Sequence, residues 1–324
     1  MNSVAADDRR WMAAAIALAA RGRGRTAPNP PVGCVIVRDG RLIGRGWTQP
    51  GGRPHAEARA IQAAGDVSGA TLYATLEPCA HVSQRGPACA DLIVAAAPAR
   101  VVIACGDPDP RTSGRGIGRI EAAGIAVTQG VETEAARKAM TGFLTRQAKR
   151  RPHVTLKLAI SLDGRIALAD GSSRWITGGA ARAHAHLERA HAEMILVGRG
   201  TLDIDRPILD VRLPGLEQRS PRRAVLGHGD TPPGWTAIRD PADIGALEAV
   251  DHLLVEGGAG AAAAFLTADL VDRLLVYTAP IVIGAGRPAV GDIGLADLTD
   301  AHDRWRLIDA RTLGIDRLAV YERL

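Results

Sequence analysis

The feature that most constrains the fold is an alternation of helical patterns with short apolar, β-branched runs along almost the whole chain. In the first half, Val32–Val37 and Leu42–Trp47 flank the turn pair Asp39-Gly40, and this arrangement predicts a β-hairpin. Helical patterns separate these strands from later ones, as expected for a sheet with helices on both faces. The alternation therefore predicts an α/β protein.

The other elements of the first half are assigned from periodicity and from residues typical of helix ends. Predicted helices are Trp11–Ala20, His55–Ala64 ended by Gly65, Ala88–Ala97, Gly118–Ala123 and a helix that runs from Thr133, as N-cap, to about Arg146. Predicted strands are Thr71–Leu76, Val101–Ala104 and Ile125–Thr128.

A basic cluster followed by proline, Lys149 to Pro152, interrupts this pattern and predicts a domain boundary, giving domains 1–148 and 149–324. The total of 324 residues suits about two domains. In the second half, predicted strands are His153–Ser161, Met194–Val197, Ala224–Leu226, Leu253–Val255, Leu274–Thr278 and Leu318–Tyr321, and predicted helices are Ala180–His191 and Gly260–Thr267. The Pro-, Gly- and Arg-rich segment Arg206–Pro241 is expected to form loops around a site.

Composition excludes several classes of protein. A hydrophobic fraction of 46% and a charged fraction of 23% are typical of a soluble globular protein and exclude a wholly disordered chain. The longest candidate apolar segment, Met12–Ala20, is far shorter than the roughly 18–20 residues of a membrane span, so we expect a cytoplasmic protein with no membrane partner. The net charge of +5 suits an anionic partner, while 3% aromatic residues argue against single-stranded nucleic acid. A phosphorylated small molecule or nucleotide cofactor fits better.

The residues that carry most chemical information are His55, Glu57, Cys79 and Cys89. An imidazole and two thiolates supply three ligands for Zn²⁺ and leave a fourth position for water. Glu57, as a non-ligand, could take the proton of that water and return it to leaving ammonia. This pattern is typical of zinc nucleobase deaminases, although Cys79 and Cys89 are further apart here than in their usual signature.

Two alternatives remain open at this stage. His81 lies between the two cysteines and is a rival metal ligand, or His55 and Glu57 merely cap a helix while the cysteines are buried as small apolar residues. The other two cysteines, Cys34 and Cys105, lie inside apolar runs and are expected to be inert core residues. Four cysteines in a chain of this length do not predict a disulfide framework.

Several further motifs occur in the order known from one enzyme family. They are Pro28–Gly33, His55-Ala56-Glu57, Thr75–Cys79, Asp107–Pro110 and Gly114–Gly116. With them, the sequence resembles the riboflavin-pathway bifunctional deaminase–reductase family. The resemblance implies a cytidine-deaminase-like three-layer α/β/α domain followed by a dihydrofolate-reductase-like α/β domain. It also implies deamination of 2,5-diamino-6-(5-phosphoribosylamino)pyrimidin-4-one, then NADPH reduction of the product's ribose to ribityl.

For the deaminase, the resemblance implies zinc on His55, Cys79 and Cys89, with Glu57 as the proton shuttle. It further implies that Asn29 contacts the pyrimidine edge. In the loop that follows Cys79, His81 and Arg85 would contact the substrate or its phosphate, although Arg85 could equally be a solvated charge.

For the reductase, the resemblance rests on Leu156–Ala159, Ser161–Ala167, Trp175–Thr177, Val197–Thr201 and the glycine-rich turn Val255–Gly260. Backbone N–H groups in such a turn, at the start of a helix, suit a phosphate. Residues implied to contact NADPH are Ala159, Trp175, Thr201, Asp205, Gly258, Ala259, Gly260, Ala261, Ala262, Ala263 and Ala264. Residues implied to contact the substrate are Ser173, Arg189, Leu209, Arg212 and Glu256.

Three residues depart from the family pattern in this half: Arg206, Asp210 and His228. Asp210 adds a negative charge near a presumed phosphate site, unless it pairs with Arg206. Two other functions are therefore kept in view: a deaminase whose second half has lost reduction, and a nucleic-acid zinc deaminase, which the sequence pI near 9.4 would suit. A non-catalytic scaffold is disfavoured by the intact set of candidate ligands. The family also leads us to expect a homo-oligomer, either dimer or tetramer.

Overall fold

The computed structural model of the chain describes residues 3–81 and 85–324, with side chains from Ala5 onward. The chain divides into two units, Met1–Arg150 and Arg151–Leu324, which are described separately below. In the described residues, no helix is long and apolar enough to cross a membrane.

The first unit is built on one mixed sheet with the strand order β2-β1-β3-β4-β5. Its strands are β1 (Gly33–Arg38), β2 (Arg41–Trp47), β3 (Thr71–Ala74), β4 (Arg100–Ile103) and β5 (Ala126–Gln129). Its helices are α1 (Ser3–Ala19), α2 (Ala56–Ala64), α3 (Cys89–Ala96), α4 (Arg115–Ala122), α5 (Thr133–Ala139) and α6 (Thr141–Lys149). The predicted hairpin is confirmed, since β1 and β2 pair antiparallel around Asp39 and Gly40.

Glycines in β1 and β2 let helices pack directly against both faces of this sheet. A Cβ at Gly33 would lie 1.8 Å from the carbonyl oxygen of Ala15 in α1, and one at Gly46 would lie 2.2 Å from that of Ala56 in α2. Gly33 and Gly46 belong to neighbouring cross-strand pairs and therefore face opposite sides of the sheet. The result is the predicted three-layer α/β/α arrangement, with α1 and α2 in backbone contact with strands on opposite faces.

The first helix starts much earlier than predicted, at Ser3 rather than at Trp11. The predicted helix therefore left out the charged run of residues 7–10. In the structure, however, Asp8 is buried and accepts hydrogen bonds from Tyr73 Oη at 2.9 Å and from both terminal nitrogens of Arg100. This charge is compensated from β3 and β4, so the helix continues through it.

The single helix predicted from Thr133 to about Arg146 is wrong, because the structure has two helices that meet at Met140. Met140 is fully buried and has φ −107° and ψ 17°, outside the helical range, so the chain bends where this side chain enters the core. Thr133 is not the N-cap either. That position is Glu132, and the Thr133 hydroxyl instead donates to the carbonyl of Ala104 at 2.7 Å.

The second unit has a larger sheet, with the strand order β10-β9-β8-β11-β6-β12-β15-β14. Its strands are β6 (His153–Ile160), β8 (Met194–Gly198), β9 (Arg222–Leu226), β10 (Trp235–Ile238), β11 (His252–Val255), β12 (Arg273–Thr278), β14 (Trp305–Leu313) and β15 (Asp316–Arg323), and a separate ribbon pairs β7 (Arg165–Ala167) with β13 (Arg287–Pro288). Its helices are α7 (Gly179–Ala190), α8 (Arg199–Asp205) and α9 (Ala259–Thr267).

Strands β10, β9, β8, β11, β6 and β12 run parallel, whereas β15 is antiparallel to both of its neighbours. The carboxyl ends of the parallel strands therefore meet at one edge, where open α/β sheets bind ligands. Two strands of this sheet were not predicted, nor were the short strands β7 and β13 of the separate ribbon. Strand β10 lies in the segment expected to be loops, and β14 is an edge strand whose charged residues, such as Arg306 and Arg311, obscure the apolar alternation.

Candidate active sites

The predicted metal ligands of the first unit come together in the structure. Candidate ligand atoms of His55, Cys79 and Cys89 all lie within 4.8 Å of one another. His55 immediately precedes α2, Cys89 opens α3, and Cys79 lies in the loop after β3. Both cysteines are buried and the histidine is half-buried. An imidazole and two sulfurs at this spacing fit a tetrahedral zinc ion that keeps one position open.

Hydrogen bonds within the cluster already favour the thiolate that a metal requires. The Nδ1 atom of His55 lies 3.2 Å from Cys89 Sγ and 3.6 Å from Cys79 Sγ, and the backbone N–H of Cys89 donates to Cys79 Sγ at 3.3 Å. The Cys89 thiol, as donor to Cys79, is the main cause that lowers the pKa of Cys79 to about 4, against the effect of burial. The pKa of Cys89 is raised correspondingly.

Glu57 is the second residue of α2, lies beside the three candidate ligands and is 3% exposed. Burial raises the pKa of its carboxyl group, with an opposing effect from His55 and a reinforcing one from Cys79. A carboxyl group whose pKa is raised toward neutral pH can both accept and return a proton during a reaction. The alternative in which His55 and Glu57 only cap α2 is not supported, because the His55 side chain makes no capping hydrogen bond.

Asn29 lies next to the candidate ligands. Its side-chain Nδ2 is 2.9 Å from His55 Nε2, on the opposite side of the ring from the sulfurs. The loop residue Gly52 packs on this amide so closely that a Cβ there would lie 2.7 Å from the Asn29 side chain. The sequence-predicted pyrimidine contact is therefore also in position to orient the histidine.

The rival ligand His81 is not part of the metal cluster. Its Nδ1 atom lies 3.3 Å from the hydroxyl of Thr112. Arg85 is exposed, and its guanidinium donates to the carbonyl of Gly51 at 2.7 Å, so this side chain lies against the loop that supports Asn29.

Glu77 is a residue whose role the sequence did not indicate. Its carboxylate is 3% exposed and accepts hydrogen bonds from the backbone N–H groups of Asp107, Gly114, Gly116 and Ile117, at 3.0 to 3.3 Å. A Cβ at Gly116 would lie 2.0 Å from the carbonyl of Pro78, so the two segments are in direct contact. Glu77 thereby holds the Asp107–Ile117 loop against the chain that leads into Cys79.

Cys34 and Cys105 are buried, as predicted. Burial raises the pKa of both thiols, to about 11 for Cys105. They are neutral core residues.

In the second unit, residues predicted to contact a cofactor gather at the carboxyl edge of the parallel strands. Thr201 follows β8, and its hydroxyl accepts a hydrogen bond from the N–H of Gly258, which follows β11, at 3.3 Å. Helix α9 contains Ala259 to Ala264 and begins directly after Gly258. A Cβ at Gly257 would lie 2.5 Å from Ala261 Cβ, so glycine at this position lets the chain turn tightly from β11 into α9.

Two residues predicted to bind the substrate pair with each other. Arg189 donates two hydrogen bonds to the carboxylate of Glu256, at 2.7 and 2.8 Å, and one to the carbonyl of Asp210 at 3.0 Å. Lys157 Nζ lies 3.7 Å from the same carboxylate. Burial would raise the pKa of Glu256, but Lys157 and Arg189 outweigh it and lower that pKa to about 2.

The remaining predicted residues lie on the surrounding loops and strands. Ala159 lies in β6, Asp205 ends α8, Ser173 is half-buried and Leu209 is buried with φ +58°. Trp175 is 64% exposed and stacks with the guanidinium of Arg182, 4.8 Å from the ring centroid.

The suggested pairing of Asp210 with Arg206 is wrong. The carboxylate of Asp210 lies 3.3 Å from Nε of the exposed Arg212, its neighbour by two residues. Arg206 is exposed and follows α8 as its C-cap residue, with φ +41°, which directs the chain away from the helix. The extra charge of Asp210 is therefore compensated by Arg212.

Comparison with known families agrees with this geometry. The zinc-binding region of cytidine and deoxycytidylate deaminases matches residues 5–105, and the RibD C-terminal domain matches residues 152–240 and 246–318. The riboflavin biosynthesis protein RibD of Mycobacterium tuberculosis H37Rv is 40% identical over 91% of both chains. That of Escherichia coli K12 is 38% identical over 95% of this chain and 97% of its own. The chain belongs to the RibD family.

Solved structures agree over the whole chain. A RibD from Acinetobacter baumannii superposes with a TM-score of 0.87 at 35% identity, and a Thermotoga maritima diaminohydroxyphosphoribosylaminopyrimidine deaminase/5-amino-6-(5-phosphoribosylamino)uracil reductase with 0.89 at 32%, each covering 99% of both chains. The chain is thus a bifunctional deaminase–reductase of riboflavin biosynthesis. It has a zinc-binding deaminase domain and a reductase domain that uses NADPH. The predicted fold class and cofactors are confirmed.

Proposed function

We propose that residues 1–148 deaminate 2,5-diamino-6-(5-phosphoribosylamino)pyrimidin-4-one, and that residues 149–324 then reduce the ribose of the resulting uracil to ribityl. The observation that carries the first half is the convergence of His55, Cys79 and Cys89 within 4.8 Å beside the buried Glu57. The Thermotoga maritima relative is named for the same two steps.

In the deaminase, zinc when bound would supply a Lewis acid that lowers the pKa of a coordinated water to about 7. His55, through Nδ1, and the two cysteine sulfurs would hold the ion. Because Nδ1 of His55 faces the sulfurs, its ring proton would reside on Nε2 in the metal-bound enzyme. The Asn29 amide, whose Nδ2 faces Nε2 here, would then present its oxygen to the ring and its N–H₂ group to an acceptor on the pyrimidine.

Glu57 is assigned as the catalytic acid and base. Its burial and raised pKa suit a carboxyl group that accepts a proton during attack and delivers it to the departing ammonia. His81 is half-buried near Thr112, and Arg85 contacts the carbonyl of Gly51. Both are assigned to the ribose phosphate and the adjoining part of the substrate.

In the reductase, NADPH when bound would supply the hydride. Its proposed contacts are Ala159, Trp175, Thr201, Asp205 and the Gly258–Ala264 segment, several of which lie at the carboxyl edge of β6, β8 and β11. Ser173, Leu209 and Arg212 are proposed substrate contacts, with the exposed Arg212 suited to a phosphate. Arg189 and Glu256 are proposed to present their remaining hydrogen-bonding positions to the ribityl chain.

The test is Glu57→Gln in the full chain, with zinc content, ammonia release and NADPH oxidation measured on the same preparation. We expect normal zinc, at least a hundredfold slower ammonia release, and unchanged NADPH oxidation when the deaminated pyrimidine is supplied. Near-normal ammonia release would remove Glu57 from the mechanism. Absence of NADPH oxidation in the unaltered enzyme would favour a deaminase with an inactive second half.

We further propose that the enzyme works in the cytoplasm as a homo-oligomer, a dimer or tetramer, on a small phosphorylated pyrimidine and not on nucleic acid. Its support is the family membership and the scarcity of aromatic residues. Light scattering of the purified protein measures the oligomeric state. Salt-sensitive binding of RNA would favour the nucleic-acid alternative.

A further inference from the structure

Three basic side chains follow three neighbouring strands at the edge where the cofactor residues lie. Arg199 comes directly after β8, His228 comes two residues after β9, and Arg239 comes directly after β10. The three strands are parallel and adjacent, so these residues share the carboxyl edge of the sheet with Thr201. None of the three is used by the mechanism above.

Two nitrogen atoms of the Arg199 guanidinium lack hydrogen-bond acceptors among the described residues. Its Nη1 group donates to the carbonyl of Asp230 at 2.6 Å, and lies 3.8 Å from the exposed carboxylate of Asp203. Its Nε and Nη2 atoms are buried and have no hydrogen-bond partner within the described part of the chain. Unsatisfied buried donors are rare in folded proteins, and they call for an acceptor from elsewhere.

The cover over Arg199 is a glycine-rich loop. A Cβ at Gly229 would lie 3.6 Å from Cζ and Nε of Arg199, and one at Gly227 would lie 3.2 Å from Arg199 Cβ. Both glycines have positive φ, +109° and +120°. Without side chains, this loop can move from the guanidinium at little steric cost and let an anion approach.

His228 presents a second donor at the same loop. Arg239 Nη1 lies 3.2 Å from His228 Nδ1, and because a guanidinium can only donate, Nδ1 must accept. The ring proton therefore resides on Nε2, which makes no hydrogen bond among the described residues. His228 and Arg239 are both exposed, so Nε2–H and the rest of the Arg239 guanidinium face solvent-accessible space.

We propose that Arg199, His228 and Arg239 form the clamp that recognises the 2′-phosphate on the adenosine ribose of NADPH. Two guanidinium groups and an imidazole N–H offer donors of the geometry and charge that a phosphate dianion accepts. Arginine near the adenosine ribose is the means by which parallel α/β sheets accommodate NADP. The clamp explains why the unpartnered donors of Arg199 lie at this edge.

The inference rests on the use of NADPH by the reductase, and it concerns the choice between NADPH and NADH. Dissociation constants are measured by calorimetry on the full chain for both dinucleotides. They are also measured for adenosine 2′,5′-bisphosphate and adenosine 5′-monophosphate, which carry no nicotinamide. The variants are Arg199→Gln and Arg239→Gln, with Arg306→Gln as the control. Arg306 is an exposed arginine on β14, paired at 3.9 Å with Glu322.

Each clamp variant should weaken NADPH and the bisphosphate by about tenfold to a hundredfold and change NADH and the monophosphate by less than about twofold. The control should change none of them. Equal affinity of the unaltered enzyme for NADPH and NADH, or an equal loss of both in the variants, would overturn the clamp. Arg199→Lys keeps the positive charge but lacks the paired N–H groups of a guanidinium, so it should give an intermediate loss of affinity for NADPH and the bisphosphate. Arg239→Gln still tests the clamp if the Arg199 variants misfold.

The experiment distinguishes failure of the proposed 2′-phosphate recognition from failure of the proposed reductase activity. If NADPH oxidation is absent but the unaltered enzyme still prefers the bisphosphate over the monophosphate, and the variants lose that preference, the clamp stands without the activity. If oxidation proceeds and no variant alters the preference, the clamp is refuted and the activity stands.

Discussion

Replacement of Glu77 by glutamine tests how the loop beside the metal ligands is held. Each carboxylate oxygen of Glu77 accepts two backbone N–H groups: Oε1 from Gly116 and Ile117, and Oε2 from Asp107 and Gly114. Glutamine keeps one oxygen and places an N–H₂ group against two donors. At about 1.5–3 kcal/mol for each hydrogen bond to a charged group, the loop should lose about 3–6 kcal/mol.

The assay is hydrogen exchange by mass spectrometry in peptides that span residues 107–117. Where exchange proceeds through local opening, that loss corresponds to about 10²- to 10⁴-fold faster exchange at the loop amides. The matched control is Glu121→Gln on the exposed face of α4, which should change nothing. Protection of the loop within about threefold of the unaltered protein would refute the reasoning, because the four hydrogen bonds would then contribute little.

Three further predictions concern stability and metal dependence. Asp8→Asn should lower the free energy of unfolding by about 2 kcal/mol, because it leaves the partly buried Arg100 without its anion, while the exposed Asp7→Asn should be neutral in the same denaturant titration. Burial and, to a smaller extent, Asp251 raise the pKa of Glu193 to about 7. The protonated side chain therefore contributes fully to the free energy of unfolding below about pH 4.5, and about 3 kcal/mol of it should be lost as the pH rises through 7. Glu193→Gln should make the measured decline smaller by about that amount, and equal slopes for both proteins in melts from pH 5 to 8 would contradict this. A chelator should stop ammonia release and leave NADPH oxidation intact, as parallel assays would show.

The metal centre was predictable because its ligands and its proton-transfer residue belong to short sequence motifs. His55 and Glu57 are two residues apart, and Cys79 and Cys89 lie at the ends of recognisable elements, so residue type and order sufficed. The alternation of patterns likewise predicted most strands of both sheets. The exposed edge strand β14 escaped because charged residues interrupt its apolar positions, so its position depends on pairing with β15.

Features that depend on distant partners were not predictable in this way. Asp8 can be buried on its helix because Arg100, 92 residues later, compensates its charge. The pairing of Arg189 with Glu256 joins residues 67 positions apart, and the motifs alone suggested two independent substrate contacts. In each case one partner cannot be assigned until the fold brings the other beside it.

The close seating of α2 on β2 has a consequence for how this enzyme could be altered. At Gly46 and Gly44 a Cβ would approach the carbonyl oxygens of Ala56 and Ala60 to 2.2 and 2.4 Å, so no side chain lies between helix and strand there. Because the backbones of β2 and α2 are in direct contact, the distance between the sheet and the first turn of α2, next to His55 and Glu57, cannot change without a backbone clash. Saturation libraries aimed at new pyrimidines should therefore yield active clones from the surrounding loops, while these two glycines tolerate no replacement.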